Sequence, residues 1–285
     1  MMSFKSIMQM FLILSILAVS LQPSSSQSEM AEDGQDGVEM VEPSWILVTT
    51  ISPSYSKDLV ARFEALVDSQ ELPDHLMAED ARKTDQDFDV SLYFTILDQL
   101  SMEGGRVLDY VYHYAGIGGA PVLYARKVSA PPYSNYSEYL AADAAIEPED
   151  REDYYLRYID TDGSPEGFFQ LALLLVQGEQ FYAFWHAAYN DDRIVSDIED
   201  ARARLGGGWV GEDESTVEGL MADLGKFDLT PVVSMNKDLV KVEVVVFTKW
   251  GGFIKRSIIM EREFPHLIIG ERSEVLVPYD CGIMF

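Results

Sequence analysis

Hydrophobic and polar positions along the chain follow two periods, and the change between them outlines the predicted elements. The first apolar stretch after residue 44 is WILVTTI, which is rich in β-branched residues and ends at a Ser-Pro pair. It predicts a buried first strand. The next segment has apolar residues at helical spacing, namely Leu59, Phe63, Leu66 and Val67. With Ser56 placed as an N-cap, this segment predicts a surface helix with one buried face.

The clearest local pattern covers residues 154–190. A strand-like segment, YYLRYID, is followed by Ser164 at an N-cap and Pro165 at the first helical position, and Gly178 closes the helix. The next segment, FYAFWHAAYNDD (181–192), then has to be a second strand. A strand, helix and strand in this order predict a right-handed crossover that places two strands parallel in one sheet.

Alternation with a period of two dominates the C-terminal third. LVKVEVVVFTKW turns at a Gly-Gly pair and returns as FIKRSIIMERE, and SEVLVPYDCGIMF adds a last strand. Further upstream, RVLDYVYHY and PVLYARKV form a predicted hairpin. The predicted fold class is therefore α+β. We expect a mixed sheet with a β-α-β unit at about 154–190, helices on part of the sheet, and a C-terminal antiparallel meander.

The N-terminal residues predict an exported protein. Lys5 precedes an almost continuous apolar run from Ile7 to Leu21, and small residues follow it, so residues 1–26 are interpreted as a signal peptide. Residues 27–44 are interpreted as a flexible acidic linker. Residues 45–285 form one predicted globular domain, with a sub-boundary near 206–230. The expected location is secreted or periplasmic, and an uncleaved signal segment acting as an anchor is the alternative.

A net charge of −27 limits the choice of partners. Such a field repels nucleic acids and anionic lipid surfaces, so both are excluded as expected ligands. A basic protein surface, a cation or a carbohydrate remains as an expected partner. The alternative interpretation is that the acidity only keeps an exported protein soluble.

The sequence carries few signatures of catalysis. The histidines and acids lack a tight metal-ligand spacing such as HExxH, and no GxSxG nucleophile motif occurs. We therefore predict no metal and no cofactor. The only cysteine, Cys281, has no partner for a disulfide within the chain and is interpreted as a buried apolar residue.

Two groups of residues nevertheless suggest chemistry. In the segment 181–192, Tyr182, His186 and Asn190 share one face of the predicted strand, while Phe181, Trp185 and Tyr189 share the other. One interpretation is a strand buried on both sides, with a neutral, hydrogen-bonded His186. The other makes His186 an acid, a base or a ligand, oriented by Asn190 or Asp192.

The second group has the same form. Asp109 and His113 are four residues apart on one face of a predicted strand and can interact, while the opposite face carries Tyr110, Tyr112 and Tyr114. If this strand neighbours the segment 181–190, both histidines line one pocket.

Two further features concern recognition. Trp209 lies in the Gly-rich loop GGGWVGEDES, where an exposed aromatic side chain can bind a sugar or a protein. Asn135-Tyr136-Ser137 is a glycosylation sequon if the host is eukaryotic.

Taken together, the sequence favours an exported, non-enzymatic binding or interaction protein with an acidic surface, and Tyr182, Asn190 and Trp209 are its candidate binding residues. The alternative is a secreted hydrolase with a His/Asp pocket built from His186, Asp192, His113 and Asp109. Whether the protein is an enzyme stays open at this stage.

Overall fold

A computed structural model describes residues 43–143, 154–185, 192–206 and 213–279. Within these ranges the strands are β1 (Leu47–Thr50), β2 (Leu100–Met102), β3 (Arg106–Tyr114), β4 (Gly118–Lys127), β5 (Ile159–Thr161), β6 (Phe184–Trp185), β7 (Arg193–Val195), β8 (Val232–Met235), β9 (Leu239–Thr248), β10 (Gly252–Glu261) and β11 (Ile268–Val277). The α-helices are α1 (Pro53–Asp68), α2 (Tyr136–Asp143), α3 (Pro165–Gln177), α4 (Ile198–Gly206) and α5 (Glu214–Leu224). Short 3-10 helices cover Asp74–Leu76, Val90–Thr95 and Tyr154–Tyr158.

The largest sheet is antiparallel and runs in the order β1-β8-β9-β10-β11, with β7 also pairing with β9. Strands β8 to β11 follow one another in the chain and in the sheet, which confirms the predicted C-terminal meander. Two smaller sheets, β2-β5 and β3-β4-β6, complete the strands. Helices combined with antiparallel sheets confirm the α+β class.

The predicted parallel crossover is wrong, although the strand, helix and strand occur in the predicted order. β5 pairs with β2, and β6 pairs with β4, so the strands on either side of α3 belong to different sheets. Each pairing in the described part of the chain is antiparallel, and the mixed sheet does not form there. A crossover requires both strands to pair within one sheet. β5 and β6 have only three and two residues, so they form too few hydrogen bonds to hold both strands in the same sheet.

Helix α3 forms the centre of the core. The Ser164 hydroxyl accepts a hydrogen bond from the Gly167 amide at 3.0 Å, and Pro165 starts the helix, as predicted. The helix is buried around most of its circumference, and it packs against β7, β8 and β9 of the large sheet. A smaller apolar cluster on the other face of that sheet includes residues of α4 and α5.

Helix α1 is amphipathic as predicted, with Leu59, Phe63 and Val67 buried. Its start differs, because the helix begins at Pro53 and Ser52 occupies the cap position. Ser56 is therefore inside the helix, where its buried hydroxyl is hydrogen-bonded to that of Ser196 at 2.5 Å.

The compact unit of the fold begins at Trp45. Among the described residues, no helix is long and apolar enough to cross a membrane.

Candidate functional site

The candidate residues predicted from sequence divide into two groups. His186, Asn190 and Trp209 lie outside the described residues, as does Cys281. Asp109, His113, Tyr182 and Asp192 lie inside them, so the structure gives their surroundings.

Asp109 is buried on β3, and its carboxylate binds cations instead of a histidine. It accepts hydrogen bonds from Lys83 Nζ and, at 2.6 Å, from Arg126 Nε. His113 shares its strand face, but a rise of about 3.3 Å per residue separates positions four apart by about 13 Å. The predicted contact between Asp109 and His113 is therefore wrong: a period of two places residues on one face without bringing distant ones together.

His113 lies instead against aromatic rings. Its imidazole stacks on Tyr136 of α2 with the ring centroids 4.2 Å apart. The buried Nδ1 atom has no hydrogen-bond partner among the residues that the structure describes. Burial lowers the pKa of His113, so the ring is neutral at pH 7.

A group of four tyrosines, the tyrosine cluster, covers this face of the hairpin and consists of Tyr124, Tyr133, Tyr136 and Tyr139. The Tyr124 hydroxyl accepts a hydrogen bond from the Tyr133 amide at 3.0 Å, which ties the loop before α2 to β4. Burial raises the pKa of Tyr124, which keeps its phenol protonated. The tyrosine cluster is thus a packing element that fixes α2 on the hairpin.

Tyr182, a candidate binding residue from the sequence, lies in the core. Its side chain is only 7% exposed, and its hydroxyl accepts a hydrogen bond from the Phe88 amide at 3.1 Å. Tyr182 lies in a turn with φ of 55°, and β6 begins only at Phe184. The left-handed residue interrupts the period of two, so Phe181 and Tyr182 are both buried.

Asp192 lies at the start of β7, and its nearest cation is Arg256, with Oδ2 and Nη1 3.9 Å apart. Its backbone carbonyl accepts a hydrogen bond from Gln177 at 3.0 Å. Asp192 thus adjoins the large sheet, whereas Asp109 and His113 lie on the β3-β4 hairpin. The described members of the predicted pocket therefore make separate contacts and do not form one acid–histidine pair.

Two clefts on the surface are small. Each measures about 200 Å³, one beside Glu243 and Lys255 and the other beside Tyr182 and Gln180. Sites for small organic ligands usually exceed roughly 300 Å³. Over the residues that the structure describes, no group of three or more His, Cys, Asp or Glu side chains is arranged to hold a metal ion.

The most unusual surface of the described chain is β1, which the sequence predicted to be buried. Ile46 is 80% exposed, Leu47 48% and Val48 62%. The strand prediction is confirmed, but the burial is wrong. Exposed apolar residues scattered singly are ordinary, whereas three in succession, the last two on a strand, call for an explanation.

The position of β1 in the sheet explains its exposure. Leu47 pairs with Met235 and Thr50 with Val232, so β8 satisfies one side of the strand. Within the described ranges no strand pairs with the other side, and β1 is an edge. Because the peptide groups of a strand point alternately to its two sides, part of the β1 backbone faces outward without a partner strand among the described residues.

The N-terminal end of β1 is anchored by backbone and ring contacts. The Ile46 amide donates to the Met235 carbonyl at 2.9 Å, and Lys241 Nζ lies 5.5 Å from the centre of the Trp45 ring. β1 is therefore held firmly on its β8 side while its other side stays open. We define the exposed residues 46–50 as the open edge.

Comparison with known proteins adds no identification. The chain matches no model of a protein family, and neither the curated proteins nor the solved structures contain a similar one. The function must therefore be inferred from the chain itself.

The open edge was missed from sequence for a definite reason. WILVTTI has the composition of a strand, and its two apolar faces suggest burial. The one sequence feature that could have indicated exposure of this strand is the acidic segment without basic residues that directly precedes WILVTTI. Nothing local, however, shows that the strand has a neighbour on one side only.

Proposed function

We propose that this protein is an exported, non-enzymatic binding protein that takes up an extended, basic polypeptide segment along its open edge. The observation that carries the proposal is the exposure of Leu47 and Val48 on β1, and of Ile46 directly before it, on a strand that pairs on one side only within the described residues. Addition of a strand to such an edge is a common mode of peptide recognition.

The chemistry of β1 suits strand addition. An incoming strand supplies the missing partners of the outward peptide groups, and its side chains cover the exposed apolar ones. Burial of apolar surface contributes roughly 25 cal/mol per Å², and the backbone hydrogen bonds fix the register. β1 is only four residues long, so we expect affinity to depend on a further attraction.

Electrostatic attraction supplies that contribution and selects the partner. Six acids lie between Glu29 and Glu42, and no Lys or Arg occurs from residue 6 to residue 56. The whole chain carries a net charge of −27. A field of this sign attracts basic segments and opposes pairing of two copies of the chain at the open edge.

Export agrees with this activity. A signal peptide over residues 1–26 delivers the chain to a compartment where it meets extracellular or periplasmic polypeptides. The acidic surface then serves both solubility and attraction of the partner.

The hydrolase alternative gains no support from the described geometry. Asp109 is engaged by two cationic side chains, and the Nδ1 atom of His113 has no acid beside it. A general base needs such an orienting partner to hold its tautomer.

The test uses a labelled synthetic peptide of alternating valine and lysine, with the same peptide carrying glutamate in place of lysine as control. Fluorescence anisotropy measures binding to the full exported chain. Hydrogen exchange measured by mass spectrometry then locates it. We expect binding of the lysine peptide only, with slower exchange of the amides of the open edge and unchanged exchange in β11.

Three outcomes would contradict the proposal: no binding of the lysine peptide, equal binding of both peptides, or protection that appears outside the open edge. A stable dimer in sedimentation, with the open edge protected in the absence of peptide, would show instead that a second copy occupies it.

A further inference from the structure

The segment before α2 contains a feature that peptide binding does not use. Of the three asparagines in the chain, only Asn135 is followed by a residue and then by Ser or Thr. We propose that Asn135 carries an N-linked glycan in the exported protein. This proposal depends on export but not on the open edge.

The geometry around Asn135 leaves the reacting atom available. Its side-chain Oδ1 accepts a hydrogen bond from the Glu138 amide at 2.9 Å, which caps α2. Its Nδ2 donates no hydrogen bond to any described residue, and the side chain is half-exposed. A sugar on Nδ2 therefore leaves the cap intact.

The local backbone holds the sequon at the surface. The Glu138 carboxylate accepts a hydrogen bond from the Ser134 amide at 2.6 Å, which holds the residue before the Asn135 cap against the first turn of α2. Ser137 is exposed and donates to the Asp80 carboxylate. The loop is thus ordered by contacts that do not involve Asn135 Nδ2.

Aromatic rings flank the attachment point. Tyr133 and Tyr136 are half-exposed members of the tyrosine cluster on either side of Asn135. Rings of this kind pack against the apolar face of a sugar. We expect the first sugar residue to rest at the rim of the tyrosine cluster.

The covalent step requires a host transferase and a lipid-linked oligosaccharide diphosphate as donor. The amide nitrogen of Asn135 attacks the anomeric carbon of the first N-acetylglucosamine. The N–C bond forms while the bond from that carbon to the diphosphate oxygen breaks. The lipid diphosphate leaves, and the amide nitrogen loses one proton to the transferase.

The test expresses the full chain with its own N-terminus in a eukaryotic secretory cell line. Protein from the medium is treated with a peptide amidase that removes N-linked glycans, and mass spectrometry identifies the peptide containing Asn135. Ser137→Ala removes the sequon but keeps the Asn135 cap, and Ser137→Thr keeps both. We expect a mass decrease on amidase treatment for the native chain and Ser137→Thr, and none for Ser137→Ala.

Secreted native protein without a glycan at Asn135 would overturn the proposal, and so would a native chain that stays in the cytosol. A glycan that persists in Ser137→Ala would do the same. Peptide binding at the open edge is measured separately on each secreted variant. If the native chain carries no glycan but still binds the peptide, only the glycan proposal fails. If it carries the glycan but does not bind the peptide, only the proposed function fails.

Discussion

The two edge strands of the large sheet differ in length, in charge and in the regularity of their pairing. β11 spans ten residues and carries the charged side chains Glu271, Arg272 and Glu274. Its pairing with β10 also contains two register shifts. β1 has four residues, no charge and no shift in its pairing with β8.

Charges and irregular pairing are the usual means by which proteins prevent a further strand from joining an edge. β11 has both, even though Ile269 and Val275 are exposed on it. The same sheet therefore blocks one edge and leaves the other open. This contrast argues that the exposure of β1 is retained for a partner.

The largest expected effect comes from a charge placed on the open edge. Val48→Lys brings a like charge against a basic segment, and we expect the valine–lysine peptide to lose about 2 kcal/mol of binding free energy, roughly thirtyfold in Kd. The matched control is Val275→Lys on β11, which changes the net charge equally. Anisotropy titrations should show no loss for it.

Neither lysine substitution should affect folding, because both valines are largely exposed. We expect their free energies of unfolding to stay within about 0.5 kcal/mol of the parent. Equal losses of peptide binding in both variants would remove the distinction between the edges.

A smaller effect is expected when the acidic segment before β1 is neutralised by changing its six acids to the corresponding amides. Association with the peptide should slow about tenfold at low salt, because the segment attracts the basic partner. The difference should vanish near 1 M salt, where the Debye length is about 3 Å. Stopped-flow kinetics across a salt series measures both, and an unchanged association rate would exclude this role of the segment.

A third change tests whether β11 is closed by its charges. The double variant Arg272→Thr, Glu274→Thr removes two charges and leaves the net charge unchanged. We expect a second peptide site on β11 of the double variant, weaker than the site on the open edge. Binding of the peptide to β11 should be more favourable by about 1 kcal/mol than binding to β11 of the parent protein. Hydrogen exchange of β11 in the presence of peptide detects it. If β11 exchange stays unaffected by peptide, the register shifts alone are sufficient to close that edge.

The smallest effect expected is a pH dependence located away from both edges. Burial lowers the pKa of His113, so on acidification below about pH 6.5 the unfolded chain binds a proton before the folded one does. The native protein should therefore lose stability between pH 7 and pH 5 relative to His113→Phe, which retains a ring against Tyr136. Denaturant titrations of both proteins at several pH values measure the difference. Peptide affinity should be the same in the two at pH 7.

Local signals predicted much of the fold. Pro165 begins helix α3, and Ser164 and Gly178 flank it directly at its two ends. In the first half of β9, alternate residues are buried, as the alternating sequence predicts. The hairpin of β3 and β4 likewise depends on neighbouring residues. Each of these elements depends on residues that are close to one another in sequence, so a local pattern is enough to predict it.

The candidate site depended on contacts that no local pattern contains. Lys83 comes from a polar, irregular segment, and its ion pair with Asp109 follows only from the tertiary fold. The left-handed turn at Tyr182 has none of the Gly or Asn residues that usually mark one. The position of β1 at the edge of the sheet follows from its pairing with β8, a strand far away in sequence.

That pairing of β1 with β8 has a consequence for how the protein is made. Leu47 is among the first residues of the fold to be synthesised, and its partner Met235 follows only after most of the fold has been made. A chain that emerges from a ribosome or a translocation channel with its N-terminus first presents β1 with both sides unpaired until β8 has followed. Contacts so distant in sequence form slowly. The nascent strand is therefore open to premature association, and we expect the acids just ahead of it to oppose that association by repulsion between chains.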